Sequence, residues 1–260
     1  MPNYINATTL KLSKQLFTAN ILSPDRTITS IDLKHVEFEN GDASEAFAFC
    51  QNLLTVTNFP TKNVINMRAT FGGCAYITSV PNIPKGVTNL SQTYEGCYRL
   101  TNIPTIPDSV VDMSSAFNGC NLGLTTPPII PPSVTNLART FFDCANLRTT
   151  PNIPNTVSNM CNTFYNCINI TSSTNIPTSV VDMSGTFSFC SNLTGNIYIL
   201  SNKITNATDC FNMTSAIKNV YIPFTYSNNV PSATYNSFIS AGYNTEGSGM
   251  YNVYLKDINA

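Results

Sequence analysis

Seven cysteines, Cys50, Cys74, Cys97, Cys120, Cys144, Cys167 and Cys190, follow one another at intervals of 24, 23, 23, 24, 23 and 23 residues. Nothing else in the chain restricts its fold as strongly. Disulfide frameworks are unevenly spaced and belong mainly to small domains. A fixed period of roughly 20–50 residues marks a repeat architecture instead. The aromatic residues Phe47, Phe71, Tyr94, Phe117, Phe141, Phe164, Phe187 and Phe211 keep the same period, and Thr214 takes the cysteine's place in the last unit. Cys161 and Cys210 stand off this ladder.

Further columns align. Val64, Val87, Val110, Val134, Val157, Val180 and Ile204 open the units, and Met67, Leu90, Met113, Leu137, Met160, Met183 and Ala207 come three residues later. Asn66, Asn89, Asp112, Asn136, Asn159, Asp182 and Asn206 stand just before that second column. Leu53, Ile77, Leu100, Leu147, Ile170, Leu193 and Ile217 lie three residues past the Cys/Thr column. The consensus is V-x-[ND]-[ML]-x-x-[TA]-F-x-x-C-x-x-L, followed by a proline-rich return such as Asn102-Ile-Pro-Thr-Ile-Pro107.

Met67, Phe71, Cys74 and Ile77 stand at i, i+4, i+7 and i+10, a spacing that predicts one face of a short helix. The preceding Asn or Asp suits its N-cap. About two turns of helix cannot persist alone, so each unit must stack on its neighbours. Free cysteine behaves as a small hydrophobe, and stacked Cys and Phe columns then make one continuous core. Disulfides and a metal site remain the alternatives for the thiols, though parallel stacked side chains do not converge as metal ligands must. Proline is poorly placed in a central strand. The expectation is a short parallel strand near each Leu or Val column, with the Ile-Pro pieces extended and polyproline-like.

Composition excludes several classes. Charged residues are 10% of the chain and the net charge is −1, so binding by counterion release has no basis and no nucleic-acid partner is expected. Asn and Thr fill the gap, at about a quarter of all residues, suited to turns and solvent faces. Every apolar run ends well short of the roughly 18 residues a membrane helix needs, so no membrane insertion is expected. The first residues, Met1 to Leu10, lack the basic and apolar regions of a secretion signal. The one histidine, His35 in Asp32-Leu-Lys-His-Val36, belongs to no nucleophile motif, and no metal-protease, Walker or dinucleotide fingerprint occurs. A glycosidase needs only two carboxylates, and with 14 acidic residues such a pair stays open. Asp112 and Asp182 are better read as members of the capping column. No enzyme, cofactor or metal is expected. N-x-[ST] matches such as Asn169-Ile-Thr171 are expected by chance in so Asn- and Thr-rich a chain.

The expected organisation is one elongated domain: an N-terminal cap or attachment segment at 1–27, a solenoid of about eight units at 28–217, and a C-terminal cap at 218–260. The first unit, from near Thr29-Ser-Ile-Asp-Leu33, is degenerate. In the last segment Asn219-Val-Tyr-Ile-Pro223 and Asn252-Val-Tyr-Leu255 read as strands. Residues 232–241 read as an amphipathic helix with Tyr235, Phe238 and Ile239, stopped by Gly242. Thr245-Glu-Gly-Ser-Gly249 reads as a flexible turn.

Val180-Val-Asp-Met-Ser-Gly-Thr-Phe-Ser-Phe-Cys-Ser-Asn-Leu193 and Val134-Thr-Asn-Leu-Ala-Arg-Thr-Phe-Phe-Asp-Cys-Ala-Asn-Leu147 resemble the repeat of BspA-like leucine-rich repeat surface proteins. The resemblance covers roughly residues 28 to 217. It implies a right-handed leucine-rich-repeat solenoid of short strands and short helices, used for adhesion and recognition without catalysis. Such proteins occur on bacterial and protist surfaces, and similar repeats appear in virion proteins of phages that infect gut bacteria. Extra prolines and the missing signal segment depart from the family pattern. The reading is a recognition and structural component on a virion surface, made in the host cytoplasm and placed in a fibre, tail or capsid appendage. It would dock other virion or surface proteins through its caps and contact a host surface protein or glycan. The alternative is an adhesin on the bacterial cell surface. Tyr76, Tyr98 and Tyr165 are the candidate ligand contacts, or else they cover neighbouring units; self-association is left open. Low charge means affinity from shape, stacking and amide bonds, with little salt dependence.

Overall fold

A computed structural model describes residues 9–11, 15–17, 26–34, 36–214, 217, 219–224, 231–243 and 254–259. His35, the turn expected at 245–249 and the start of the last expected strand lie outside the described residues, as does most of the segment expected at 1–27.

The units stack in parallel. Regular strands occur towards the two ends: β1 (Thr9–Lys11), β2 (Gln15–Phe17), β3 (Ser30–Asp32), β4 (Val36–Phe38), β5 (Thr55–Thr57), β6 (Asn196–Tyr198), β7 (Asn219–Ile222) and β8 (Tyr254–Asp257). They form three parallel sheets ordered β1-β3-β5, β2-β4 and β6-β7-β8. Between the ends, pairing narrows to single parallel bridges. One series joins the Asn/Asp column from Asp42 to Asn66 and onward to Asn206, and another pairs Ser79 with Asn102, Thr149 with Ser172 and Ile176 with Ile199. The strands expected near each Val and Leu column are thus reduced to single bridged residues.

The helix expected in each unit does not form. Met67, Ala69, Phe71 and Gly73 donate their N–H groups to the carbonyls of Asn89, Ser91, Thr93 and Glu95 in the next unit, at 2.6–3.0 Å. Thr70, Gly72 and Cys74 turn back on Met67, Ala69 and Phe71 at 3.0–3.1 Å. Alternate residues thus bond outward and inward, and no N–H reaches four residues back, as a helix requires. Ala69 at φ 50° and Gly73 at φ 74° sit in the left-handed region, the signature of a turn's third residue. A run of four-residue turns has the same three-and-four spacing of buried side chains as a helix, so the apolar pattern alone does not separate them. Stacking decides: each outward N–H finds a partner on the neighbour.

The Asn/Asp column does supply the bond expected of it, but to a turn. Asn66 Oδ1 accepts from Arg68 N at 3.0 Å, and Asp112 and Asp182 do the same for Ser114 and Ser184 at 2.9 Å. The amides also bond along the stack, Asn66 Nδ2 to Asp42 Oδ1 at 2.9 Å and Asn136 Nδ2 to Asp112 Oδ1 at 3.0 Å. Prolines of the return are placed where only their carbonyls are used: Pro84, Pro107, Pro131 and Pro154 accept from Val87, Val110, Val134 and Val157 at 3.1–3.2 Å.

The Val, Met/Leu, Phe and Cys columns are all buried. Successive rings from Phe47 to Phe211 stack with centroids 5.4–6.0 Å apart. The unit at Cys120 carries one extra residue, which moves its buried leucine to Leu124. The slack is taken up at Gly123, where a Cβ would come within 2.3 Å of the Leu100 carbonyl oxygen. Beyond the last unit, α1 (Ala233–Ser240) is N-capped by the Ser232 hydroxyl, which accepts from Tyr235 N at 2.9 Å. Phe238 of this helix lies 6.3 Å from Phe211, and Tyr243 receives the Phe211 N–H on its hydroxyl at 2.8 Å. Ile239, expected on the apolar face, is instead exposed. It falls one position past Phe238, on the solvent side of the helix.

Candidate recognition surface

The residue before each ring is buried, while the two that follow it reach towards the surface in most units. The position two past each ring, next to the cysteine, is in the left-handed region in every described unit: Phe49, Gly73, Gly96, Gly119, Asp143, Asn166, Phe189 and Met213, at φ 56–75°. Gly, Asn and Asp accept this conformation readily; Phe and Met do not. At Gly73 a side chain is also barred by space, because its Cβ would meet Phe49 Cδ1 at 2.7 Å.

Two grooves open on this surface. The first, about 510 Å³, has a floor of Ala69, Gly72, Gly73 and Gly96, with Phe49 and Tyr98 at its edges. The Glu45–Arg68 ion pair borders it. The second, about 430 Å³, is lined by Tyr165 and Phe189 together with Asn206, Thr208, Asp209 and Asn212. A line of π groups runs into the second groove. Arg139 lies 4.6 Å over the Phe142 ring, Phe142 stacks on Tyr165 at 4.6 Å, and Tyr165 meets Phe189 at 5.2 Å. All three rings are half-buried.

The three tyrosines singled out in the sequence are therefore not brought together. Tyr98 edges the first groove and Tyr165 the second. Tyr76 is 43% exposed, lines neither, and carries Arg99 5.0 Å over its ring.

The buried thiols take part in packing. Cys74, Cys97, Cys120, Cys144, Cys167 and Cys190 donate their Sγ–H groups to the carbonyl of the previous unit's ladder aromatic at 3.0–3.3 Å. The Thr column makes a parallel row: Thr93 Oγ1 donates to the Met67 and Leu90 carbonyls at 2.7 Å. Cys210 occupies that Thr column and is buried. Burial pushes the Cys97 and Cys190 thiols up to about 12, far from the thiolate that redox chemistry or metal ligation needs. Among the described residues no cluster of three His, Cys, Asp or Glu side chains is placed to hold a metal. No helix among them is long and apolar enough to cross a membrane.

A family model described as a BspA-type leucine-rich repeat region of six copies matches residues 26–148 and 114–240. The chain belongs to the BspA-type leucine-rich repeat family.

None of the curated proteins matches it in sequence. Among solved structures, a leucine-rich repeat protein from Bacteroides ovatus superposes with a TM-score of 0.60 at 20% identity, over 82% of this chain and 63% of that one. This chain thus spans less than two thirds of that relative. A leucine-rich repeat protein of T. pallidum gives a TM-score of 0.48 at 20% identity, over 78% of this chain and 85% of that one. The fold is that of a leucine-rich repeat protein with short parallel strands and few helices. No catalytic family is indicated, and the family is one of binding modules.

In this BspA-type chain, reading the sequence missed Phe49, Phe142 and Phe189 as surface residues. Phe142 stands one position earlier than the column just before each cysteine, and so outside it; for Phe49 and Phe189 the signal was present in that column, which is Gly, Asp or Asn in five units. Those are the residue types that accept a positive φ. A phenylalanine there cannot point into the core and stands out once the column is seen as a turn.

Proposed function

We propose that this protein is a non-enzymatic recognition module, a right-handed leucine-rich-repeat solenoid at 28–217 whose terminal segments, 1–27 and 218–260, cover its ends and attach it to a larger surface. The observation that carries this reading is the half-buried line Phe142–Tyr165–Phe189, three rings that meet across successive units outside the core ladder. A repeat stack presents such residues at fixed intervals, and large rigid rings on a surface serve contact. Membership in the BspA-type family supports display on a surface. The relative from Bacteroides ovatus is bacterial, which favours the cell envelope of a bacterium as the carrier. The virion reading draws only on the resemblance of the repeats.

Density-gradient fractionation of a producing culture, with quantitative mass spectrometry of this chain, tests the reading. Recovery with envelopes supports the cell-surface module. Co-banding with particles at fixed stoichiometry to a capsid protein would move the same module to a virion. Recovery only among free soluble proteins would overturn surface display.

A further inference from the structure

Phe189 is at φ 61°, a conformation that bulky residues rarely adopt, at a position where five other units place Gly, Asp or Asn. Its ring is not part of the core ladder; it leans over Tyr165 at 5.2 Å and lines the second groove. Backbone strain kept at a half-exposed position, where no packing demands a ring, points to use of that ring. Phe49, at φ 61° on the edge of the first groove, repeats the arrangement.

The second groove has a particular chemistry. Tyr165 and Phe189 form an aromatic wall, and Asn206, Thr208, Asp209 and Asn212 supply amides, a hydroxyl and a carboxylate. The Asn212 amide and the Thr208 hydroxyl are engaged by no other described side chain or backbone group, and Asn206 uses only its oxygen, for Thr208 N at 3.2 Å. No lysine or arginine lines the groove, so it has nothing to neutralise a phosphate. At about 430 Å³ it is concave and of small-ligand size, unlike the broad patch that a protein partner needs. A ligand that fits has apolar C–H faces for the rings and hydroxyls in its plane for the amides. We infer that this groove binds a neutral saccharide ring stacked on Tyr165 and Phe189.

The inference rests on the recognition reading above and names the ligand class of one part of that surface. The full chain, purified, is applied to an array of neutral oligosaccharides of glucose, galactose, mannose and N-acetylglucosamine, and the best-retained one is titrated against variants. Phe189→Asn and Tyr165→Ala should each weaken binding about tenfold or more, while Tyr98→Ala, on the other groove, should leave it unchanged. Phe189→Asn should keep or raise the thermal midpoint, because Asn166 holds the same place in the preceding unit. That separates loss of the ring from loss of the fold. Retention of no oligosaccharide, or binding that survives both substitutions, would overturn the inference. The array reads the purified chain, so failure there with recovery on envelopes leaves the recognition reading standing and removes the saccharide alone.

Discussion

Tyr94 stands in the aromatic ladder where the other units hold phenylalanine. Its ring is fully buried and lies between Phe71 at 6.0 Å and Phe117 at 5.4 Å. Its hydroxyl has no hydrogen-bond partner among the described residues. Burying a hydroxyl unpaired costs about 1–3 kcal/mol. Tyr94→Phe removes that cost and leaves the stacking intact. The void of one oxygen, at roughly 24 cal/mol per Å³, takes back only a few tenths of a kcal/mol. The expected net gain is about 1 kcal/mol, or a midpoint higher by about 2–4 °C in a chain of this size. Paired thermal and urea unfolding of the two proteins, under identical conditions, measures it. Repeat stacks need not unfold in two states, so the comparison should be made on midpoints of the same probe. A midpoint that falls on removal of the hydroxyl would refute the reasoning, because it would mean the oxygen has a partner that the packing hides.

Other expectations follow from the same geometry. Of the nine cysteines eight are buried and Cys161 is partly exposed; a disulfide reagent at neutral pH should titrate one thiol quickly and the rest only on unfolding. Burial raises Cys97 and Cys190 from their ordinary value of 9.0 to about 12, so their contribution is fully present below pH 9 and lost as pH climbs towards 12. The thermal midpoint should therefore hold up to about pH 9 and then decline, each such thiol contributing about 1.4 kcal/mol per pH unit. Asp112→Ala deletes the acceptor of both Ser114 N and Asn136 Nδ2 and should destabilise by about 1–2 kcal/mol, whereas Asp112→Asn should recover most of that in the same melt. Gly123→Ala should lower the midpoint more than alanine placed at the open Gly195, since only the former drives a Cβ into a backbone carbonyl.

Much of the architecture could be read from residue columns. Phe141, Cys144 and Leu147 recur because each must fill the same place against the same neighbours, and identical places demand similar residues. The strand at Asn219-Val-Tyr-Ile222 was legible from its alternation, and the structure pairs it in parallel with β6. The secondary structure inside the unit was not legible in the same way. Met67, Phe71 and Cys74 have the spacing of a helical face, and only the destination of their N–H groups shows that they belong to turns. Gly73, Gly96 and Gly119 carried the hint, since a glycine repeated mid-helix is a poor choice where a turn needs a positive φ. The candidate surface was harder still. Tyr165 was visible as an aromatic off the ladder, but its neighbours Phe142 and Phe189 lie 23 and 24 residues away in sequence.

The sequence by itself determined the period, the order of buried columns and the family, because those are properties of which residue recurs at which interval. The tertiary structure alone decided whether each unit is helix or turn and which exposed rings meet. Both depend on hydrogen bonds and contacts between units, and a single repeat read in isolation contains neither partner.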